Sequence, residues 1–265
     1  MTLAITILGC GSSGGVPRLG QGWGACNPDN PRNRRGRCSI LIERTAENGA
    51  KTVVLVDTSP DMREQLLKAG TERLDGVVLT HSHADHTHGI DDVRPIVISM
   101  KTRIAAYMDA ATSRVVRHAF DYIFQTPAGS MYPPLLTEQR IQSGVPFSIE
   151  GPGGAIEILP FEVEHGEINA LGLRINDVAY TPDVSRFPEP IVPFLESLDV
   201  WIIDALRYSR HPSHLSVPEA LDWIARAKPR QAVLTNLHTD LDYQALSDAL
   251  PPNCKPAYDG LRIEA

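Results

Sequence analysis

Four histidines lie within eight residues of one another, directly behind a short apolar segment. The stretch reads DGVVLTHSHADHTHGIDD, and its histidines are four of the nine in a chain of 265 residues. The apolar residues predict a buried strand over 76–80. A histidine tract can be a surface metal sponge, but this one is internal and is interrupted by an aspartate. We therefore expect a fold in which a strand end brings imidazoles together.

The order His81-x-His83-x-Asp85-His86 suits metal binding. Alternate side chains of an extended segment share a face, so His81 and His83 can bind the same ion. Asp85 and His86 follow where the chain turns, and they can reach a second ion. Imidazole and carboxylate ligands without thiolate suit Zn²⁺, Mn²⁺ or Fe²⁺ in open catalytic sites. Two metals about 3.5–4 Å apart can stabilise both the attacking and the leaving oxygens of a displacement.

Further ligands for two ions stand at the ends of other predicted strands. VEHGEI supplies His165, AYTPDVS supplies Asp183 and LTNLHTD supplies His238. A single histidine or aspartate after a strand is more often a surface residue. All three together with the dense segment at 81–86 predict a metal centre.

Composition restricts the class of protein. Apolar residues make up 42% and charged residues 22%, which is typical of a globular protein with a substantial core. No apolar run is long enough for a bilayer, and the start lacks the cationic region of a signal peptide. The four cysteines form no C-x-x-C pair, which favours a reducing compartment. We therefore expect a cytoplasmic protein that does not bind a membrane.

The charge balance argues against a nucleic-acid-binding role. The formal net charge is −7, whereas proteins that bind nucleic acid usually present a basic surface. The cluster RNRRGR over 32–37 is the one basic candidate, and such clusters are usually solvated loops. Whether it contacts a substrate is left open by the sequence.

Strand and helix patterns alternate along the chain, which favours an α/β protein. Ser216 with Glu219 forms a capping box at one helix start. We find no repeat, linker or composition break, so a single domain over 1–265 is expected. The predicted strands cover 4–9, 52–57, 76–80, 104–108, 155–163, 171–180, 199–204 and 231–235. The predicted helices cover 61–69, 110–124, 188–197, 216–227 and 242–250.

A glycine-rich loop follows the first strand. GCGSSG over 9–14 satisfies G-x-G-x-x-G, but a dinucleotide site requires a helix to begin there. Pro17 and four more glycines forbid a regular helix. The alternative is a tight loop whose amides approach a phosphate, with Ser12 and Ser13 as substrate-binding candidates.

THSHADH, together with Asp57 in VLVDTSPD and the later His165, Asp183 and His238, resembles the metallo-β-lactamase superfamily. The resemblance implies an αββα sandwich: two mixed sheets packed face to face, helices outside, and a two-metal site at one sheet edge. A glutamate instead of His83 would have pointed to redox members of the superfamily. The implied ligands are His81, His83 and His165 for the first ion, Asp85, His86 and His238 for the second, and Asp183 as the bridge. Asp57 would orient a ligand histidine.

Within that superfamily, four segments are similar to the phosphodiesterase branch that contains the phosphoribosyl 1,2-cyclic phosphate phosphodiesterase. They are GSSGGVP, RRGRCS, HGIDD and HPSHLS. The likeness implies a small phosphodiester or nucleotide as substrate, two divalent ions (Mn or Zn), and a hydroxide between them that attacks phosphorus, with Asp85 among the catalytic residues. His214 would protonate the leaving alkoxide, or it merely precedes a helix cap. His211 would touch the substrate phosphate or lie on the surface.

Two departures from that branch concern metal binding. Only Cys26 stands where the branch can carry several cysteines for a structural zinc, and Thr239 replaces its late histidine, so we expect no structural zinc. The branch reads LTH where this chain has LTN. Either the loop bends to bring His238 to the metal, or Asn236 leaves the second metal site weaker. We expect His238 to be the ligand.

Three other functions share these features. A tRNase Z-type nuclease would carry a long basic arm, and residues 121–134 are neither basic nor long. A thioester hydrolase similar to glyoxalase II would use the same metals. A non-enzymatic accessory would resemble the pyrroloquinoline quinone biosynthesis protein, although the complete ligand set favours an enzyme. The sequence leaves open the natural substrate, the native metal and the oligomeric state, a homodimer included.

Overall fold

The computed structural model describes residues 2–264, whose strands form two seven-stranded mixed sheets. The first sheet has the order β14-β1-β2-β3-β4-β5-β6. From β14 to β3 neighbouring strands are antiparallel, and from β3 to β6 they are parallel. Its strands are β1 (Thr2–Gly9), β2 (Ser39–Thr45), β3 (Lys51–Val56), β4 (Gly76–Val78), β5 (Ile104–Met108), β6 (Leu136–Arg140) and β14 (Arg262–Glu264).

The second sheet repeats this arrangement with the order β13-β12-β11-β10-β9-β8-β7. The strands from β13 to β10 are parallel, and those from β10 to β7 are antiparallel. Its strands are β7 (Phe147–Ile149), β8 (Ile156–His165), β9 (Ile168–Ile175), β10 (Val178–Thr181), β11 (Val200–Asp204), β12 (Gln231–Thr235) and β13 (Cys254–Pro256).

The molecule has four layers, with helices outside two sheets, and an apolar cluster fills each of the three spaces between layers. Each sheet is therefore buried on both faces. The central cluster joins residues of both sheets, such as Ile42 and Ile202. The outer cluster of the first sheet includes helix residues such as Leu66 and Val116, and that of the second includes Ile224. The helices are α1 (Met62–Ala69), α2 (Ala84–Thr87), α3 (Arg94–Met100), α4 (Ala110–Phe124), α5 (Val217–Ala227) and α6 (Tyr243–Ala249). The predicted αββα sandwich is confirmed.

Two predicted elements differ from the structure. The single strand expected over 171–180 is the hairpin of β9 and β10, broken where Asn176 adopts a positive φ of 51°. The helix expected over 188–197 is a 3₁₀ segment, Glu189–Leu195, with Pro193 inside it. Proline removes an amide donor, which accounts for the missing α-helical hydrogen bonds. The capping box of Ser216 and Glu219 at the start of α5 is confirmed.

Across residues 2–264, none of the helices combines the length and the apolar character that crossing a bilayer requires. The four cysteines are buried and unpaired.

Candidate metal centre

Five strand ends converge at one edge of the sandwich. β4 leads through Thr80 into His81, and His165 is the last residue of β8. β10 is followed by Asp183, β11 ends on Asp204, and β12 is followed by residue 236. Strands that run the same way in a sheet end at the same edge, so side chains distant in sequence meet there.

Four imidazole rings form a cluster at this edge. The ring centroids of His81 and His86 are 4.2 Å apart, and those of His81 and His83 are 4.7 Å apart. The ring of His165 lies 4.9 Å from that of His83. Ligand atoms within 4.8 Å of one another form three groups. These groups are His81–His83–His165, His81–His86–Asp183 and His165–Asp183–His214.

The polar atoms that face the centre of the cluster lack ordinary partners. Among residues 2–264, Nε2 of His81 is buried without a hydrogen-bond partner, and Oδ2 of Asp183 is buried without a hydrogen bond of ordinary geometry. Nε2 of His86 lies 3.0 Å from the same Asp183 oxygen, an ion-pair contact that raises the pKa of His86. Buried polar atoms are normally paired, and nitrogen and oxygen donors are the ligands of open catalytic metal sites. The residues present therefore fit divalent metal ions.

Hydrogen bonds behind the rings fix their orientation. His86 Nδ1 lies 2.7 Å from Oδ2 of Asp57. The same oxygen accepts from the hydroxyl of Thr80, and Oδ1 of Asp57 accepts from the Thr80 amide. His165 Nδ1 donates to the carbonyl of Ser213 at 2.6 Å. A histidine whose Nδ1 is held in this way presents Nε2 toward a metal. Asp57 thus occupies the place expected of an orienting acid.

The electrostatics of the cluster favour positive charge at its centre. Burial lowers the pKa of His81 and of His165, so both rings are neutral and keep a lone pair. Burial also lowers the pKa of His86, but the carboxylates of Asp183, Asp57 and Asp85 outweigh it and raise that pKa well above its usual value. The same carboxylates would stabilise a bound cation.

His214 stands beside the cluster and is paired with Asp204. Its Nδ1 lies 2.9 Å from Oδ2 of Asp204, which also accepts from the amide of Val184 at 3.0 Å. Burial raises the pKa of Asp204 to about 6. Burial lowers the pKa of His214, but Asp204 outweighs it and raises that pKa to about 9. Asp204 was missed in the sequence, although it ends an apolar strand just as Asp183 follows one.

Asp85 and His238 lie at the edge of the cluster rather than inside it. Within residues 2–264, the three ligand groups include neither of them. Oδ2 of Asp85 is 3.5 Å from His86 Nε2, and Nδ1 of His238 is 3.1 Å from Oδ1 of Asp240. Both line the pocket that opens onto the cluster, and the role of each as a metal ligand stays a prediction.

The side chain of Asn236 lies beside that of Asp183. Its Nδ2 donates to Oδ1 of Asp183 at 3.3 Å and lies 3.0 Å from Nδ1 of His214. Asn236 thus contacts the expected bridging carboxylate directly. From the sequence, this residue was the one that could weaken the second metal site.

A pocket of about 290 Å³ opens onto the cluster. Ser12, Ser13 and His211, the proposed substrate contacts, all line it. Leu206 is the one apolar side chain among the residues 2–264 that form its wall. The pocket is also lined by two arginines, Arg18 and Arg207, which the sequence did not single out.

The basic segment 32–37 does not line this pocket. Arg35 is only 2% exposed, and its guanidinium donates to the carbonyl of Leu241 at 2.8 Å and to Asn33 at 3.2 Å. Arg37 pairs with Asp61. These arginines therefore hold the chain together around the glycine loop.

A family model described as a beta-lactamase superfamily domain matches residues 52–236. The octanoyltransferase of Porphyromonas gingivalis (strain ATCC BAA-308 / W83) is 33% identical over 260 residues, which are 96% of this chain and 50% of that protein. The chain thus spans about half the length of this curated relative.

Several solved structures are similar. A diphosphatase described as belonging to the PhnP family has a TM-score of 0.88 and 33% identity, and the match covers 100% of this chain and 98% of that one. PqqB from Methylobacterium extorquens in its Zn²⁺-bound form has a TM-score of 0.75 at 17% identity, covering 99% and 100%. The short form of human tRNase Z has a TM-score of 0.65 at 15% identity, covering 98% of each chain. The last two share the fold alone.

Proposed function

Because this chain belongs to the metallo-β-lactamase superfamily of metal-dependent hydrolases, and to its PhnP-like branch, we propose that it is a binuclear phosphodiesterase. Its substrate would be a small phosphodiester, cyclic or nucleotide-derived. One observation supports the proposal: a cluster of side chains that could hold metal ions shares one pocket with an imidazole that is paired to a buried carboxylate.

The proposed ligands divide into two sets, one for each ion. His81, His83 and His165 would hold one divalent ion, Mn²⁺ or Zn²⁺, and His86 and Asp183 would hold a second, with Asp85 and His238 completing that set. When bound, the ions supply Lewis-acid neutralisation of phosphate charge and lower the pKa of water.

The pairing of His214 with Asp204 favours an oxygen leaving group. Asp204 holds the Nδ1 proton of His214, so Nε2 is free to give its proton to the departing oxygen. A thiolate leaves readily without protonation, because a thiol has a pKa of about 8.5. A positioned acid is therefore of more use for an alkoxide than for the thiolate of a glyoxalase II-type substrate.

The polar wall of the pocket disfavours an octanoyl substrate. An eight-carbon chain gains affinity by burying apolar surface, and among residues 2–264 only Leu206 contributes an apolar side chain to the wall. The transfer activity in the name of the bacterial relative thus has no evident binding surface at this site.

The test combines metal analysis with a substrate panel. The purified protein is assayed with a nucleoside 2′,3′-cyclic phosphate, bis-p-nitrophenyl phosphate and a glutathione thioester, after chelation and after return of Mn²⁺ or Zn²⁺. We expect metal-dependent turnover of the phosphodiesters. His81→Ala should lower both bound metal and turnover.

His88→Ala is the matched control, because His88 is an exposed histidine of the same segment whose ring contacts Phe120. It should keep both metal and activity. Full activity in His81→Ala, or turnover of the thioester alone, would contradict the proposal.

A further inference from the structure

We propose that Gly166 is a positioning residue for the proton transfer of the proposed reaction. The close contact between its backbone and Ser213 sets where His214 lies beside the proposed metal ligand His165. The inference rests on the proposed phosphodiesterase function and adds to it the part of the fold that holds the acid in place.

His214 lies on a loop without regular structure. Residues 208–214, the acid loop, form neither helix nor strand. Two backbone hydrogen bonds join residues 206–207 to residues 215–217 and so close the ends of the loop. Between these ends, the position of His214 depends on contacts to other parts of the site, of which the carboxylate of Asp204 is one.

The main chain of the acid loop is fastened to His165. Nδ1 of His165 donates to the carbonyl of Ser213 at 2.6 Å, and the ring centroids of His165 and His214 are 4.7 Å apart. The amide and the hydroxyl of Ser213 lie 3.3 and 3.1 Å from Nδ1 of His211. A displacement of Ser213 therefore moves the acid loop and disturbs the hydrogen bond that orients His165.

Gly166 directly follows His165 and lies against Ser213. A Cβ added at Gly166 would come within 2.8 Å of Cβ and 3.5 Å of Cα of Ser213. Two carbon atoms are in relaxed contact at about 3.5 Å, so a larger residue would have to move one of the two segments by about 0.7 Å. The φ of Gly166 is 62°, which also favours glycine.

The turn at Gly166 is held from both sides. The ladder of β8 and β9 continues to the pair of His165 and Ile168, and the amide of Gly166 donates to the hydroxyl of Ser185 at 3.1 Å. The acid loop belongs to neither sheet. A clash at Gly166 therefore moves the acid loop, and the imidazole of His214 with it.

The test is a double-mutant cycle between positions 166 and 213, run at saturating Mn²⁺ with two substrates. Gly166→Ala should lower kcat for a nucleoside 2′,3′-cyclic phosphate by about 10- to 100-fold, because a misplaced acid protonates the alkoxide poorly. With bis-p-nitrophenyl phosphate, whose phenolate leaves without protonation, kcat should stay within about threefold. Gly166→Asn adds the same Cβ in a residue that tolerates a positive φ, and it should show the same difference between substrates.

Substitutions of Ser213 separate the contact from backbone strain. In a Ser213→Gly background the opposing Cβ is gone, so adding Gly166→Ala should cost less than about twofold relative to Ser213→Gly alone. In a Ser213→Ala background the Cβ remains and only the hydroxyl is lost. There Gly166→Ala should keep its full cost.

Gly49→Ala is the matched control. Gly49 also lies in a hairpin turn, between β2 and β3, with a φ of 81°, and a Cβ there would meet no atom of residues 2–264 within 4 Å. It should lose stability without losing turnover of either substrate.

The Nδ1 proton of His165 provides a readout that does not depend on turnover. In a nitrogen-15 spectrum of the Zn²⁺-loaded protein, its resonance should shift in Gly166→Ala because the bond to the Ser213 carbonyl changes. The resonance should return toward its parent position when Ser213→Gly is added.

The outcomes distinguish this inference from the function it rests on. An unchanged kcat in Gly166→Ala, an equal loss with both substrates, or a loss that Ser213→Gly does not relieve overturns the positioning role while the phosphodiesterase proposal stands. No turnover of either phosphodiester by the parent protein overturns both.

Discussion

Replacing Asp204 by asparagine should remove the charge behind His214 while keeping the shape of its partner. Oδ2 of Asp204 accepts from both Val184 and His214, and the amide oxygen of asparagine can accept from the same two donors. Oδ1 has no hydrogen-bond partner among residues 2–264, so the new amide group breaks no bond described there. The substitution therefore tests the electrostatic effect of the carboxylate on the imidazole.

The expected magnitude follows from the pKa of His214. Burial lowers that pKa, but Asp204 outweighs burial and raises the pKa to about 9. An unperturbed imidazole titrates at about 6.5. At pH 8 the imidazolium fraction would then fall from roughly nine-tenths to about 3%, a loss of about 30-fold. At pH 6 both proteins would be mostly protonated. Bound divalent ions lower both pKa values, so the quantity to measure is the difference between variant and parent.

The assay compares two leaving groups over pH 6 to 9. With a nucleoside 2′,3′-cyclic phosphate, whose alkoxide needs a proton, kcat of Asp204→Asn should fall by about 30-fold at pH 8 and by less than about twofold at pH 6. With bis-p-nitrophenyl phosphate, whose phenolate leaves without protonation, kcat should barely change. An equal loss with both substrates, or a loss independent of pH, would refute the assignment of His214 as the acid.

Three predictions concern stability. Gly89→Ala should destabilise the fold by about 3 kcal/mol, because the new Cβ would overlap the carbonyl of Ser59; an unchanged urea midpoint would contradict this. Arg35→Met should cost about 3 kcal/mol, since the carbonyl of Leu241 loses its buried donor, and a lower Tm in calorimetry checks it. Burial raises the pKa of Asp259 to about 6, so this residue's stabilising contribution is complete below its unfolded pKa of about 4 and is lost as the pH rises through 6. Urea denaturation should therefore find Asp259→Asn more favourable relative to the parent at pH 7 than at pH 4, by up to about 3 kcal/mol.

The sequence predicted those parts of the fold and site that depend on local periodicity. Apolar runs located β3, β4, β5 and β12, and the spacing of His81 and His83 predicted that their rings would meet, as they do at 4.7 Å. The hairpin of β9 and β10 was missed because the apolar alternation continues on both sides of the polar turn at Asn176, so that the two strands resemble one. The edge strands β7, β13 and β14 were missed because three residues carry too little periodicity to be recognised. The longer strands β2 and β6 were also missed.

Contacts between distant segments were less accessible. That Asp204 pairs with His214 depends on where β11 ends relative to the loop before α5, and no local pattern encodes that distance. Arg18 and Arg207 are 189 positions apart and share a pocket only because the glycine loop and the end of the second sheet are neighbours. In the sequence an isolated arginine resembles a surface residue, and its place in a pocket wall is visible only in the structure.

The conformations of Asp57 and Asn236 explain why one sequence-based choice remained open. Both residues follow a strand at the metal edge, and both adopt the left-handed region, with φ of 64° and 62°. Asparagine and aspartate tolerate this region better than most residues. In Asn236 it turns the amide toward Asp183, and the amide of His238 then donates to the carbonyl of Leu206, beyond the end of β11. Asn236, which stands where the branch has a histidine, therefore orients the expected bridging carboxylate. Metal titration of Asn236→Ala beside His238→Ala would separate orientation from ligation. Loss of one ion equivalent only in His238→Ala supports His238 as a ligand, whereas loss only in Asn236→Ala rejects it.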